Sequence, residues 1–207
     1  MKKLLVIDGN SILNRAFYGV RPLNAPDGLP TNALFGFVGM INKAFSRIGN
    51  EPSFAAIAFD LKEKTFRHKA CDTYKATRKP MPDDLALQLP VSKDIATALG
   101  LKVIESVGYE ADDILGTLSR MGEESEVEVF VLTGDRDSLQ LVDGNTSILY
   151  PSTSMGRTET VLMDEAAVME KYGVTPPEMI DVKALMGDSS DNIPGVAGVG
   201  PKTATQL

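Results

Sequence analysis

Leu4-Leu5-Val6-Ile7-Asp8 is a run of four apolar residues, two of them β-branched, closed by an aspartate. A run this short and free of polar positions suits a strand buried on both faces. Aspartate is a poor strand former and is costly to bury, so its place at the end of such a run needs a reason. The arrangement recurs along the chain. Residues 54–59 lead into Asp60, and residues 127–132 lead through Thr133 and Gly134 into Asp135 and Asp137. Residues 102–104 and 147–150 are further short apolar runs. Helical patterns lie between several of them. Thr31 is placed to cap a helix with Leu34, Phe35, Val38, Ile41 and Phe45 on one face, and residues 110–121 set Ile114, Leu115 and Leu118 at helical spacing. Strands alternating with helices predict an α/β fold with a mostly parallel central sheet flanked by helices. Ligands of such sheets bind beyond the carboxyl ends of the strands, which is where Asp8, Asp60 and Asp135 fall. Phe17, Tyr18, Phe35 and Phe37 are expected in the core.

Nine acids form five short clusters: Asp8; Asp60; Glu110, Asp112 and Asp113; Asp135 and Asp137; Asp188 and Asp191. Three acids within four positions at 110–113 favour a helix dipole, yet they repel one another unless a cation is near. Oxygen donors without a histidine or cysteine cluster suit Mg²⁺ or Mn²⁺ and argue against zinc. The spacing after Asp135 lacks the further ligands of a calcium-binding loop. Asn10 stands where an aspartyl-phosphate phosphotransferase needs a second aspartate, so that reading is discounted.

Net charge is −7, which on its face disfavours a nucleic-acid partner. Setting the nine clustered acids aside turns the balance slightly positive, and bound divalent ions would offset several of them. Positive charge is also concentrated. Between Lys62 and Lys79 there are seven Lys or Arg residues against Glu63 and Asp72. Residues 62–90 hold Pro80 and Pro82 and no clean strand, and read as a partly helical excursion, mobile without ligand. A metal-filled acidic pit beside a basic segment suits a phosphate-rich substrate. One cysteine, Cys71, excludes an intramolecular disulfide and fits a reducing compartment. The four apolar residues before Asp8 are too few for a signal peptide or membrane span, so a cytoplasmic, non-membrane protein is expected. His68, the single histidine, reads as solvated.

Residues 187–203, GDSSDNIPGVAGVGPKT, nearly mimic a phosphate loop, but Pro201 separates Gly200 from Lys202 and Thr203 and no strand precedes them. The better reading is a helix, a glycine hairpin and a second helix starting at Pro201, whose N–H groups can hold a phosphate without reading base sequence.

Together these runs resemble the 5′ nuclease, or flap endonuclease, family, in the form found at the N-terminus of bacterial DNA polymerases. The matching stretches are LLVIDGNS (4–11), TNALFGF (31–37), AFD (58–60), TFRH (65–68), YKATR (74–78), GYEADD (108–113), TGDRD (133–137) and GDSSDNIPGVAGVGPKTA (187–204). The resemblance implies a PIN-like 5′ nuclease fold, with residues 1–175 as the catalytic domain, including a helical arch over 62–90. Residues 176–207 would form a partial helix-hairpin-helix region, truncated at its end. It implies a metal-dependent hydrolase that cuts DNA flaps and 5′ ends, acts at RNA–DNA primer junctions, and works as a monomer fused to a polymerase in a parent protein. All nine acids fall on the family's metal sites. Arg67, Tyr74, Lys75 and Arg78 fall on the arch's phosphate-contacting motif. Gly195, Gly198, Gly200, Lys202 and Thr203 fall on the duplex-gripping hairpin, where a K⁺ ion is expected.

The reaction this predicts is two-metal hydrolysis of a phosphodiester, with ions about 4 Å apart. Asp8, Asp60, Glu110, Asp112 and Asp135 are assigned to the catalytic centre, with Asp113 close by. Asp137, Asp188 and Asp191 would hold a second ion or water-mediated contacts, and Lys75 and Arg78 would neutralise charge on the scissile phosphate. Two other readings compete. The early stop at Leu207 suggests a DNA-binding module with little turnover. A small-molecule phosphatase would share the metal chemistry but leave the basic segment and hairpin unexplained.

Overall fold

The computed structural model describes residues 1–49, 52–154 and 157–207. Its centre is a six-stranded sheet in the order β3-β2-β1-β4-β5-β6. Strands β1 (Lys2–Asp8), β2 (Phe54–Ala58), β3 (Lys102–Ile104), β4 (Val127–Leu132) and β5 (Thr146–Ser154) run parallel. Strand β6 (Arg157–Met163) pairs antiparallel with β5 at one edge. The five parallel strands lie where the apolar runs predict them. Strand β6 is not foreseen, because its sequence mixes Glu159 and Thr160 with Val161 and Leu162, as an edge strand exposed on one side does.

Helices cover both faces. Leu5, Ile7, Ile57 and Leu132 point to a layer of α1 (Gly9–Gly19), α2 (Asn32–Ile48) and α4 (Asp83–Ala98). Val6, Ala58, Val129 and Val131 point the other way, onto α5 (Ala111–Glu124), α6 (Glu165–Tyr172) and α7 (Glu178–Met186). The alternation explains why neither face tolerates a polar residue in these strands. Leu5, Ile7, Ile57 and Leu132 have no exposed surface, and each such burial contributes about 1.5–3 kcal/mol.

Helix α2 starts after Thr31 as expected, with Leu34 and Ile41 buried and Val38 and Phe45 packed against the core. Phe35 does not join them. It is 69% exposed and Tyr18 is 73% exposed, so two of the four aromatics expected inside stand on the surface. The reason lies in the helix's angular spread. Phe37, Met40, Ala44 and Ile48 complete the buried stripe and leave Phe35 outside it.

The basic excursion divides into unlike halves. A short helix α3 (Phe66–Ala70) and a run of turns carry the cations, whereas residues 83–90 belong to α4 and bury Leu85 and Gln88. The Gln88 side-chain carbonyl accepts the Ala33 and Leu34 N–H groups, fixing the start of α2 to α4. Beyond α7, β7 (Gly187–Asp188) and β8 (Ile193–Pro194) form a small antiparallel pair, and α8 (Pro201–Ala204) follows. Among the described residues no helix is long and apolar enough to cross a membrane.

Candidate active site

Because β1, β2 and β4 are adjacent and parallel, their last residues fall on one edge of the sheet. Asp8 ends β1, Asp60 follows β2, and Asp135 follows β4. Asp8 also caps α1, accepting the Ser11 N–H at 2.9 Å, and it accepts the Thr133 hydroxyl at 2.9 Å. Thr133 in turn accepts the Asp135 N–H at 3.0 Å, tying the ends of β1 and β4 together. Asp60 donates its N–H to the Asn10 side chain at 2.9 Å and accepts the Ala111 N–H, at the start of α5, at 2.7 Å. Gly9 is required at the corner. A side chain there would place its first carbon 2.4 Å from the Phe59 ring.

Asp8, Asp60, Asp112 and Asp135 face one another closely enough to repel. Burial first, then repulsion from Asp60 and Asp135, pushes the Asp8 carboxyl up to about 6 against the hydrogen bonds from Ser11 and Thr133. Asp112 is crowded by protein and faces Asp8, Asp135 and Asp60, and its carboxyl rises to about 7. Burial is the larger cause and repulsion from the three facing carboxylates adds to it, although the residue keeps exposed surface.

Around this group the remaining acids are held by cations. The buried Glu110 accepts both the Tyr74 hydroxyl and the Lys75 ammonium at 2.9 Å, with Arg67 at 3.7 Å. Burial and the bond to Glu110 push the Tyr74 phenol up, so it stays a donor. Arg67 forks onto Asp113 with two bonds of 2.8 Å, and Asp113 also accepts the Glu110 N–H, closing the first turn of α5. Burial opposes ionisation of Asp113, but these bonds outweigh it and hold the carboxyl below the usual range. Arg78 pairs with Asp191, and the Lys75 N–H donates to the Asp191 carbonyl at 2.9 Å.

Lys183 bridges Asp137 at 2.8 Å and Asp188 at 2.7 Å. The outcome is unequal. At Asp188 burial is outweighed by Lys183 and two Ser190 bonds, and the carboxyl is held down to about 2. At Asp137 burial wins over the same lysine and the carboxyl rises. The sequence reading missed Lys183, Asn10 and Thr133 as participants. Lys183 lies five residues before Asp188, and only the fold brings Asp137 to its other side. In the sequence Asn10 marks only a missing acid, whereas in the fold it accepts the Asp60 N–H.

As the side chains stand, no three acids among the described residues close around one point to hold an ion. Oxygens of Asp8, Asp60, Glu110 and Asp135 are turned to protein donors. The donor set nonetheless fits a hard divalent cation: four mutually repelling carboxylates, two of them held above their ordinary pKa, at the carboxyl edge of a parallel sheet. In the hairpin region, Gly195 has a packing reason. A side chain there would lie 2.2 Å from the Met186 carbonyl carbon, and Gly187 crosses it equally closely. Gly198 takes a left-handed φ of 83°, and Lys202 and Thr203 are exposed on α8.

A family model described as 5′-3′ exonuclease, N-terminal resolvase-like domain matches residues 3–173, and one described as 5′-3′ exonuclease, C-terminal SAM fold matches 174–207. The chain is 43% identical over 205 residues to DNA polymerase I of Caldicellulosiruptor bescii, covering 99% of this chain and 24% of that protein. It is 43% identical over 206 residues to DNA polymerase I of Bacillus caldotenax, covering 100% and 23%. It thus spans about a quarter of the length of these curated relatives. Among solved structures it resembles the T5 D15 protein co-crystallised with metal ions, at TM-score 0.74 and 19% identity, covering 99% of this chain and 73% of that one. The catalytic core of Rad2 in complex with DNA substrate superposes at TM-score 0.58 and 18% identity, covering 99% and 60%. At such identities the likeness is one of fold. By sequence along its whole length, the chain belongs to the 5′-3′ exonuclease family.

Proposed function

We propose that the chain is a structure-specific, divalent-metal-dependent 5′ nuclease, hydrolysing phosphodiester bonds at DNA 5′ ends, 5′ flaps and RNA–DNA primer junctions in replication and repair. The observation that carries this reading is the meeting of Asp8, Asp60, Asp112 and Asp135 at one sheet edge, with Glu110 beside them and a cationic segment folded against them. Mg²⁺ or Mn²⁺ ions held by these acids would supply Lewis acidity, lowering the pKa of water and offsetting charge on a phosphate. Asp137, Asp188 and Asp191 would serve a second ion. A protein of similar fold, T5 5′-exonuclease, binds divalent metal ions (zinc).

The chain's own residues do the rest. Thr133 and Ser11 fix the Asp8 carboxylate, and the start of α5 fixes Asp60. Lys75 and Arg78 exchange their carboxylate partners for phosphate oxygens of the strand, steadying the charge that builds during cleavage. Arg67 and Tyr74 hold the arch in place beside them. We assign residues 1–175 to a PIN-like catalytic domain and 176–207 to a helix-hairpin-helix region. In the latter, Gly195, Gly198, Gly200, Lys202 and Thr203 would approach duplex phosphates, with a K⁺ ion in the hairpin.

A second reading is favoured by one observation. Glu110 is already taken by Tyr74 and Lys75, which suits a module that binds DNA with little turnover. Incubation with a 5′-flap duplex and, separately, a chromogenic phosphate monoester separates the possibilities. The nuclease reading expects Mg²⁺-dependent 5′ fragments and a negligible ester rate. Equal hydrolysis of both would make the protein a phosphatase, and binding without product would make it a binding module.

A further inference from the structure

Cations near the acid cluster and its β5 side divide into two sets among the described residues. Arg67, Lys75, Arg78 and Lys183 each pair with a carboxylate of the site. Arg15, Arg136 and Lys171 form no salt bridge among the described residues. These three converge all the same. The Arg15 guanidinium lies 5.8 Å from the centre of the Tyr150 ring, and the Lys171 ammonium lies 5.4 Å from that ring and 5.6 Å from the Tyr172 ring. Arg136 lines one cleft together with Tyr150 and Tyr172.

Their place in the fold is specific. Tyr150 follows Leu149, which pairs with Leu132 of β4, so it emerges at the same carboxyl edge as Asp135. Arg136 is the residue after Asp135, and Arg15 leans over Gly134, where an added side-chain carbon would lie 3.4 Å from it. A cleft of about 530 Å³ is lined by Asp112, Asp135 and Asp137 as well as Arg136, Tyr150 and Tyr172, and Arg15 and Lys171 reach its Tyr150 and Tyr172 walls from outside the lining. Three like charges gathered on two rings, none of them in a salt bridge among the described residues, repel one another, and an anion lying across them relieves that repulsion. Cations beside aromatic faces at the rim of a phosphate-cleaving site are the chemistry that grips a nucleic-acid backbone.

We propose that Arg15, Arg136 and Lys171, gathered on Tyr150 and Tyr172, form a phosphate-binding subsite for the base-paired part of the strand that crosses the acid cluster, on its β5 side. The assignment rests on the nuclease reading for the identity of its ligand. The single-stranded 5′ end would lie with the basic segment, and the continuation of the same strand would lie on these cations. The subsite would add grip on the strand without reading base sequence.

The test is binding of a fluorescent 5′-flap duplex across a salt series in EDTA, where no turnover is possible, for the whole chain and two double variants. Neutralising Arg136→Gln with Lys171→Gln removes two phosphate contacts. The slope of log affinity against log salt should then fall in magnitude by about 1.8, with weaker binding at low salt. The charge-preserving pair Arg136→Lys with Lys171→Arg should keep the slope of the parent. With Mg²⁺, the neutral pair should raise KM while leaving kcat within about twofold. An unchanged slope and affinity in the neutral pair would overturn the proposal. So would an equal loss in the charge-preserving pair. Because the slope is read without cleavage, a failure of the nuclease reading would appear separately, as absence of Mg²⁺-dependent product from the parent chain.

Discussion

The Lys75 ammonium lies 2.9 Å from the buried Glu110 carboxylate, and Lys75 reaches it from a backbone held at φ 55°. A left-handed lysine is unusual, and it is kept here by the bond from its N–H to the Asp191 carbonyl. One residue therefore joins the acid cluster to the segment between β7 and β8. If Lys75 passes its charge to the scissile phosphate, Lys75→Ala should lower kcat by about a hundredfold or more. KM should change far less. Single-turnover and steady-state cleavage of a flap duplex separate the two effects.

The Asp8 carboxyl, raised from 3.8 to about 6 and almost without exposed surface, gives a pH signature. A carboxyl with a folded-state pKa above its unfolded value binds its proton more tightly in the fold. Its ionisation therefore costs stability as pH rises from about 4 through 6, on the order of 3 kcal/mol when complete. In EDTA, Tm should fall across that window, and Mg²⁺ should restore it above pH 7. A Tm that rises equally with and without metal would contradict this.

Lys183 holds Asp137 and Asp188 together, and its removal leaves two facing acids without their cation. Lys183→Met should cost about 1–2 kcal/mol in urea unfolding in EDTA. Saturating Mg²⁺ should recover much of the loss if these acids take a divalent ion. An equal loss in both conditions would give the lysine a purely structural part.

Gly9 sits between Asp8 and the fully packed Phe59 ring, with no room for a side chain. Gly9→Ala should destabilise the fold by about 1–3 kcal/mol and, by shifting the β1–α1 corner, weaken metal binding as well. Chemical unfolding and Mn²⁺ titration of the same variant read the two effects.

Most of the sheet was readable from the residues, because a parallel strand buried on both faces has no polar position to blur it. Leu4–Ile7 is the clearest case. Strand β6 escaped because an edge strand shares its polar residues with water. Helix α1 escaped because Gly9 and Asn10 are weak helix formers, and its start depends on the Asp8 cap. The acids were readable as clusters, since each ends a strand or opens a helix. Their partners were not. Lys183 meets Asp137 across the chain, and Arg136 shares a cleft with Tyr150 only because β5 lies beside β4. No spacing rule in one sequence encodes such a meeting.

The most direct test is cleavage of an end-labelled 5′-flap duplex with Mg²⁺ and with EDTA, beside an Asp135→Asn variant. The account predicts short 5′ fragments with Mg²⁺, none with EDTA, and a rate lower by about a thousandfold or more in the variant. Intact DNA in Mg²⁺, or fragments released by Asp135→Asn at the parent rate, would contradict it.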